Sequence, residues 1–343
     1  MVNIGNNSTQ PIPVHRAAVV RPFARFLADV GAPVEGCFRQ VGLPWYALED
    51  VDNYVPSHRF SKFLICTAYS EGILDLGFRV GEKFGADSVD PHMAALLKKA
   101  PTLYQGLRKA SELVNRTITH CRLGILQPAN CRYAYFYHHP SCKVDNPAIE
   151  QIGWFGITIL LGMARVYTGP QWQPTEIGLM TDRMPCRYIR EHFPRARMRL
   201  SQPFSYIALE NAVLSLPPFQ HEAARPASSP NDYQKMPDDF VSSLELVLLS
   251  YVQEGDMSIE LAAAMCNMSK RTLQRRLKEM GTHYNEVLGH AHFRAASRML
   301  QNAGMTVTDI GYRMGYSDVA HFARAFQRMA GVTPQVYRQQ FNH

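Results

Sequence analysis

Apolar residues recur with a helical period in four stretches of the first two hundred residues. These stretches are residues 23–30, 58–70, 94–113 and 146–167, and Pro101 divides the third. Alternating runs at 117–126 and 131–138 predict two strands joined by a turn at 128–130, and two shorter strands are expected at 175–180 and 205–209. Because these elements show no strict βαβ alternation, the pattern predicts an α+β domain.

Residues 217–239 interrupt this pattern. They are rich in Pro, Ser and Asp and have no apolar period, which is typical of a linker. Beyond them the periodicity is almost wholly helical. We therefore predict an α+β domain over residues 16–216, a linker over 217–239 and an all-α domain over 240–343.

The all-α domain contains a weak internal repeat. Its first copy, residues 259–281, predicts a short apolar helix, a three-residue turn and a second helix capped by Ser269. Leu273, Leu277 and Met280 share the face that should pack inward. The outer face is cationic and amide-bearing, with Lys270, Arg271, Gln274, Arg275 and Lys278.

The second copy covers residues 307–331. Aligning Ser317 with Ser269 places Gly311 on Ala263 and Gly315 on Asn267. The first pair predicts a close helix crossing, and the second predicts a turn residue with positive φ. In this copy the expected inward stripe is Phe322, Phe326 and Met329, with Asp318 beside the N-cap. The expected outer residues are Val319, Ala320, His321, Arg324 and Arg328.

A helix with an apolar back and a cationic front fits the major groove of DNA. Arg bonds guanine, Gln bonds adenine, and Lys neutralises phosphate. Two such units joined by one helix at residues 284–301 are expected to enter successive grooves about 34 Å apart. Arg276 lies beside the inward stripe, and two roles stay open for it: contact with DNA, or an ion pair with an acid such as Glu279.

Composition narrows the functional classes. The chain has 343 residues, 46% of them hydrophobic, a formal charge of +7 and seven irregularly spaced cysteines. No secretory signal or uninterrupted membrane-length apolar run is apparent, and no disulfide framework is expected, so we predict a cytoplasmic protein. No catalytic motif appears, so neither an enzyme nor a cofactor is expected.

Two clusters invite other interpretations. His120, Cys121, Cys131, His138, His139 and Cys142 are near one another in sequence. Their spacing is not that of a metal site, so we expect no metal. Tyr133, Tyr135 and Tyr137 share one strand face. They are either a pocket wall or ordinary sheet packing, and we favour packing.

The segment from Ile259 to Arg338 resembles the DNA-binding domain of AraC/XylS-type transcription regulators. The signature residues are Gly315, Ser317, Phe322, Arg324, Phe326, Gly331, Pro334, Tyr337 and Arg338. Three positions depart from the family pattern: Tyr316 replaces a usual Phe, Gly311 a usual Ala, and His292 a usual Arg of the connecting helix.

Residues 16–210 are similar to the N-terminal domain of the ornithine-utilisation-regulator-like branch, a domain of the arabinose-binding type. The resemblance rests on the segment around residues 96–115, with Ala-Pro-Thr-Leu at 100–103. It implies a small-molecule effector, self-association as a homodimer, and activation through RNA polymerase at a double-stranded promoter. Two alternatives stay open: an enzyme or repair domain fused to a DNA reader, and a constitutive DNA-binding protein without a ligand.

Overall fold

The computed structural model describes residues 9–50, 53–89, 91–117, 121–140, 146–219, 237–252, 257–301 and 304–341. The chain divides into two compact units. We call residues 18–41 and 57–236 the α+β unit, and residues 1–17, 42–56 and 237–343 the helical unit. The predicted linker lies mostly outside the described residues.

The described helices before residue 220 follow the predicted apolar stretches and add several short elements. They are α1 (Ala17–Asp29), α2 (Val34–Gln40), α3 (Ser57–Ser70), α4 (Leu76–Val89), α5 (Pro91–Lys99), α6 (Leu103–Thr117), α7 (Asn146–Thr168) and α8 (Arg187–His192). The strands are β1 (Val14–Arg16), β2 (Tyr54–Pro56), β3 (Cys121–Leu126), β4 (Tyr133–Pro140), β5 (Glu176–Gly178), β6 (Arg197–Arg199) and β7 (Ser205–Glu210). The α+β class is confirmed.

A five-stranded sheet forms the centre of the α+β unit. Its order is β3-β4-β7-β5-β6, antiparallel except for the parallel pair β5 and β6. The β3–β4 hairpin turns at Asn130, which has φ 58°, within the predicted turn. Along β4, Ala134, Phe136 and His138 are buried, so alternate residues face the core.

Helix α7 lies against the core of this sheet. Trp154, Ile157, Leu160 and Ala164 are buried there together with Phe136. The helix is long and apolar enough to cross a membrane by length and composition, but 61% of its apolar window is buried inside the protein. A core helix of a globular domain has the same character, and the packing accounts for its composition.

The helical unit contains seven described helices after residue 236. They are α9 (Phe240–Leu249), α10 (Ile259–Met265), α11 (Lys270–Glu279), α12 (Tyr284–Leu300), α13 (Val307–Arg313), α14 (Val319–Ala330) and α15 (Pro334–Phe341). The predicted double helix-turn-helix region is thus helical throughout its described residues. Its connecting helix α12 has the predicted bounds to within one residue.

Two N-terminal segments complete the helical unit. Strands β1 and β2 pair antiparallel. Ser243 of α9 and Ser250 at its C-terminal end each accept a hydrogen bond from this N-terminal part of the chain. The Ile12 N–H donates to Ser243 Oγ (2.8 Å), and the Tyr54 N–H donates to Ser250 Oγ (3.0 Å). Because α9 is buried on nearly every side, it needs apolar cover beyond that given by α12. The unit is therefore not one continuous stretch of chain.

Candidate nucleic-acid interface

The two predicted turns have the same backbone conformation. Asn267 has φ 54° and Gly315 has φ 78°. After each of them, the next N–H reaches back to the preceding helix: Met268 donates to Ala263 O (2.9 Å) and Tyr316 donates to Gly311 O (3.0 Å). In each turn this bond gives a donor to a carbonyl near the end of the first helix, where carbonyls have few partners within the helix. The predicted repeat of the turn, with a spacing of 48 residues, is confirmed.

The helix crossings are close, as predicted. Ala263 is buried in α10, which packs against α11. A Cβ placed on Gly311 would lie 3.5 Å from Phe322 Cβ, which is ordinary contact distance. Alanine would therefore fit at Gly311, whereas a longer side chain would push α13 away from α14.

Helix α11 presents the predicted cationic front. The Thr272 N–H donates to Ser269 Oγ (3.2 Å), so Ser269 is the N-cap. Leu273 and Leu277 are fully buried, and Met280 is half-buried at the C-terminal cap. The five predicted contact residues are all exposed: Lys270, Arg271, Gln274, Arg275 and Lys278.

Helix α14 is shifted by one residue relative to the predicted alignment. Its N-cap is Asp318, whose carboxylate accepts from the Ala320 N–H (2.9 Å), so Ser317 does not begin the helix. Phe322 and Phe326 are buried as predicted. Met329 is 42% exposed, and its assignment to the inward stripe was wrong. The second turn is one residue longer than the first, and an alignment on the two serines misses this.

The shift changes which positions of the two helices correspond. Arg324, rather than Ala323, is the counterpart of Arg275, because both arginines follow their N-cap by six residues. Gln327 is the counterpart of Lys278, and it is exposed on the same surface as His321 and Arg324. Sequence reasoning missed Gln327. The spacing from Leu273 and Leu277 to Phe322 and Phe326 could have revealed it.

The remaining predicted residues of α14 lie at or near this front. Ala320, His321, Arg324 and Arg328 are exposed, and Val319 is half-buried. The front of α14 therefore carries fewer cations than that of α11.

Two cations of α11 have acidic neighbours. Lys270 Nζ lies 2.6 Å from Glu260 Oε1 of α10, and Arg275 Nε lies 3.8 Å from Glu279 Oε1. All four side chains are substantially exposed, so each ion pair is weak. Lys270 and Arg275 can therefore leave their acidic partners for a phosphate or a base at a small cost in free energy. Lys270 lowers the pKa of Glu260 mainly by its hydrogen bond.

Arg276 has a structural position. Its guanidinium lies 5.0 Å from the centre of the Phe240 ring of α9, and burial lowers the pKa of this group. Its Nε has no hydrogen-bond partner among the described residues. Neither sequence interpretation foresaw this contact, because α9 is distant in sequence.

Helix α12 joins the two halves and is anchored at both ends. The Tyr284 hydroxyl donates to Met257 O (2.7 Å), and Arg338 Nε donates to Leu300 O (3.3 Å). Just past its middle, α12 is tied to α9 by an ion pair between Arg294 and Glu245 (2.9 Å). With 17 residues it is about 25 Å long at 1.5 Å per residue.

The residues singled out in the α+β unit lie in its sheet. Tyr135 packs edge-on against Tyr206 (4.9 Å), and Tyr137 packs against Phe204 (4.7 Å), as sheet packing requires.

His138 is fully buried with Nε2 3.3 Å from Gly153 O, and burial lowers its pKa to about 4. No group of three metal-ligating side chains occurs among the described residues, and His120 and Cys142 lie outside them.

A small crevice of about 130 Å³ opens in the α+β unit between α3 and the start of α7. Tyr69, Leu74 and Met184 contribute to its walls. Glu150 and Arg183 form an ion pair there (3.6 Å), and burial raises the pKa of Glu150. The crevice combines an acid, a cation and apolar walls.

Comparison with known proteins agrees with this arrangement. The arabinose-binding domain of AraC transcription regulators matches residues 31–218, more than half of the chain, and a helix-turn-helix domain matches residues 262–340. The chain belongs to the AraC family of transcription regulators. It therefore combines a ligand-binding type of N-terminal domain with a DNA-binding region.

Individual AraC-family relatives match to different extents. An uncharacterised HTH-type regulator of Mycobacterium tuberculosis is 43% identical over 75 residues, and the match spans only 22% of that protein. VirS, an HTH-type transcriptional regulator of the same organism, is 22% identical over 331 residues, covering 94% of this chain and 96% of VirS. The ornithine utilization regulator of Pseudomonas aeruginosa is 33% identical over 92 residues, covering 26% of this chain and 27% of that protein.

One solved structure aligns along most of the chain. The transcriptional regulator CdpR from Pseudomonas aeruginosa is 18% identical, with 94% of this chain and 98% of that chain covered and a TM-score of 0.40. Because this TM-score is low, the family assignment rests on the two domain matches and not on this structure.

Proposed function

We propose that this AraC-family regulator binds promoter DNA with α11 and α14 in successive major grooves, and that a small-molecule effector in the α+β unit controls it. The observation that carries the proposal is the pair of equivalent turns, each followed by a helix with a buried apolar back and an exposed front. In the first helix Arg271, Gln274 and Arg275 contact bases and Lys278 contacts phosphate. In the second, Arg324 contacts a base and Val319 and Ala320 pack against thymine methyl groups.

The effector enters the crevice beside Glu150 and Arg183. A crevice of about 130 Å³ is smaller than the range of about 300–1,000 Å³ for drug-sized ligands, so the effector is a small metabolite. The paired acid and cation favour a polar molecule with an apolar part. Effector binding changes promoter occupancy, and a homodimer contacts RNA polymerase to activate transcription in the cytoplasm.

The DNA-binding part is tested by selecting a target duplex from a random pool and measuring its affinity for the full chain. Arg271→Ala combined with Arg275→Ala should weaken specific binding strongly, and Arg108→Ala, an exposed cation of the α+β unit, should not. Equal loss in both variants would mean that binding follows net charge rather than the recognition helices.

The effector part is tested by footprinting the selected site with and without fractionated metabolite extracts. We expect one fraction to change the footprint, and Glu150→Gln to remove that change while leaving basal DNA binding intact. A footprint insensitive to every fraction would favour a constitutive DNA-binding protein. Catalytic turnover of the active metabolite would favour the fused-enzyme alternative.

A further inference from the structure

A second cavity lies within the DNA-binding region itself. It is a groove of about 520 Å³ between α12 and α14, which falls in the size range of small-molecule sites, about 300–1,000 Å³. Its walls are mostly apolar, with Leu288, Phe293, Ala325 and Met329 among them. The α+β unit contributes no residue to this lining.

Two departures from the family pattern meet in this groove. His292 stands where the family usually has Arg, and Tyr316 where it usually has Phe, and both residues line the groove. Their ring centres are 6.5 Å apart in an edge-on arrangement. A chain with the usual pair would place a guanidinium and a plain phenyl ring here, so the replacements change the polar groups that an occupant would meet.

The polar groups of the groove favour an anion. Arg328 lines it, and none of the described lining residues is acidic. His292 Nδ1 is buried without a hydrogen-bond partner among the described residues, and burial lowers the pKa of this ring, which is therefore neutral at pH 7. A neutral imidazole has one N–H to donate, and a buried nitrogen without a partner carries an energetic cost that a ligand would relieve.

Gly289 keeps the groove open. It lies inside α12, where glycine disfavours the helix, and a Cβ placed on it would meet no atom within 4 Å. The missing side chain therefore leaves empty space in the lining rather than allowing a close backbone approach. A larger residue at this position would stabilise the helix and fill the groove.

We infer that this groove binds a small amphipathic carboxylic acid, with its apolar body between α12 and α14 and its carboxylate facing Arg328, Tyr316 and His292. Arg328 also borders the α14 front formed by His321, Arg324 and Gln327. An acid that engages Arg328 therefore removes positive charge from the edge of the DNA-binding surface. The groove is a second ligand site, separate from the effector crevice of the α+β unit.

The probe is 4-phenylbutyrate, and its neutral counterpart 4-phenylbutanamide is the control ligand. Binding to the full chain is followed by ligand-observed NMR titration. We expect saturable binding of the acid and about tenfold weaker binding of the amide, because a charge-assisted hydrogen bond is lost. Absence of saturable acid binding, or equal binding of acid and amide, overturns the inference.

Two matched pairs of variants locate the site. Gly289→Leu should abolish binding, whereas Gly289→Ala should retain it, and both should fold because each favours the helix. Arg328→Gln should weaken acid binding about tenfold. Arg324→Gln, on the same helix but outside the groove, should bind the acid like the natural chain. Unchanged binding in Gly289→Leu or Arg328→Gln places the acid elsewhere and overturns the inference.

The link to DNA has its own measurement. In low salt, the acid should weaken binding of the natural chain to a random-sequence duplex and leave the affinity of Gly289→Leu unchanged. The same reduction in both proteins would show that the acid acts outside the groove. If the acid weakens DNA binding in neither protein, Arg328 in the groove does not couple the acid to the DNA-binding front.

Discussion

The two helix-turn-helix halves have similar turn geometry and differ in the side chains on the front of the second helix. In both, a residue of positive φ ends the first helix and a polar N-cap begins the second. The front of α11 carries four cations and a glutamine. The equivalent front of α14 has two alanines, a valine, Arg324 and Gln327. The turn geometry thus gives the second helix the same placement in both halves, whereas the residues on its front differ. The front of α11 offers mainly positive charge, and the front of α14 offers mainly apolar contact.

The largest expected effect tests which residues α14 buries. Phe326→Ala should lower the free energy of unfolding by about 3–5 kcal/mol, because it empties a buried position. Met329→Ala should cost no more than about 0.5 kcal/mol, since that side chain is largely exposed. Thermal or urea unfolding of the two variants separates them. A larger loss for Met329 would return that residue to the inward stripe.

The shared turn is tested next. Gly315→Val should destabilise the second half by about 1–3 kcal/mol, because a β-branched residue is strained at φ 78°. Asn267→Gly should change stability little, because glycine adopts the same conformation freely. Calorimetry of both variants gives the comparison, and full stability of the valine variant would contradict the turn assignment.

Arg275 and Arg324 are predicted to be equivalent base readers. Alanine at either position should cost about 1–3 kcal/mol of specific binding and relax the sequence preference at one base pair. Binding selections with each variant give both quantities. Loss of affinity without any change in preference would make that arginine a phosphate contact.

The difference in charge between the halves predicts a smaller effect on salt dependence. Lys278→Gln should reduce the slope of log affinity against log salt by about 0.9, and the reciprocal Gln327→Lys should increase it by about 0.9. Fluorescence anisotropy over a salt series measures both. If only the first change alters the slope, Gln327 does not face the phosphate backbone.

The smallest effect concerns the cap of α13, which has a reciprocal capping box that α10 lacks. The hydrogen bond from Thr306 lowers the pKa of Asp309. A lowered folded-state pKa stabilises the helix above the ordinary value of 3.8 and loses that contribution as the pH falls through the folded value. NMR titration of the Thr306 amide should show this transition below pH 3.8, and Asp309→Asn should abolish it.

The sequence alone determined most of the DNA-binding region. The apolar period located α12, and the turn residues located both turns. A positive φ restricts the residue type at Asn267 and Gly315, and a close helix crossing restricts it at Ala263 and Gly311. Because these requirements are local, the sequence shows them. Alternation of apolar and polar residues likewise located β3 and β4, and β7 was expected as a short strand. The prediction failed at the start of α14, where Ser317 and Asp318 are both good caps and local chemistry does not choose between them.

Only the tertiary structure decided what covers the apolar helix α9. Its residues predict burial, but not that Ile12 and Tyr54, some two hundred residues away, would supply the cover. The same holds for Arg276 on Phe240 and for the groove in which His292 meets Tyr316. Each of these depends on contacts between distant segments, and such contacts are set by the packing of whole surfaces rather than by any local pattern.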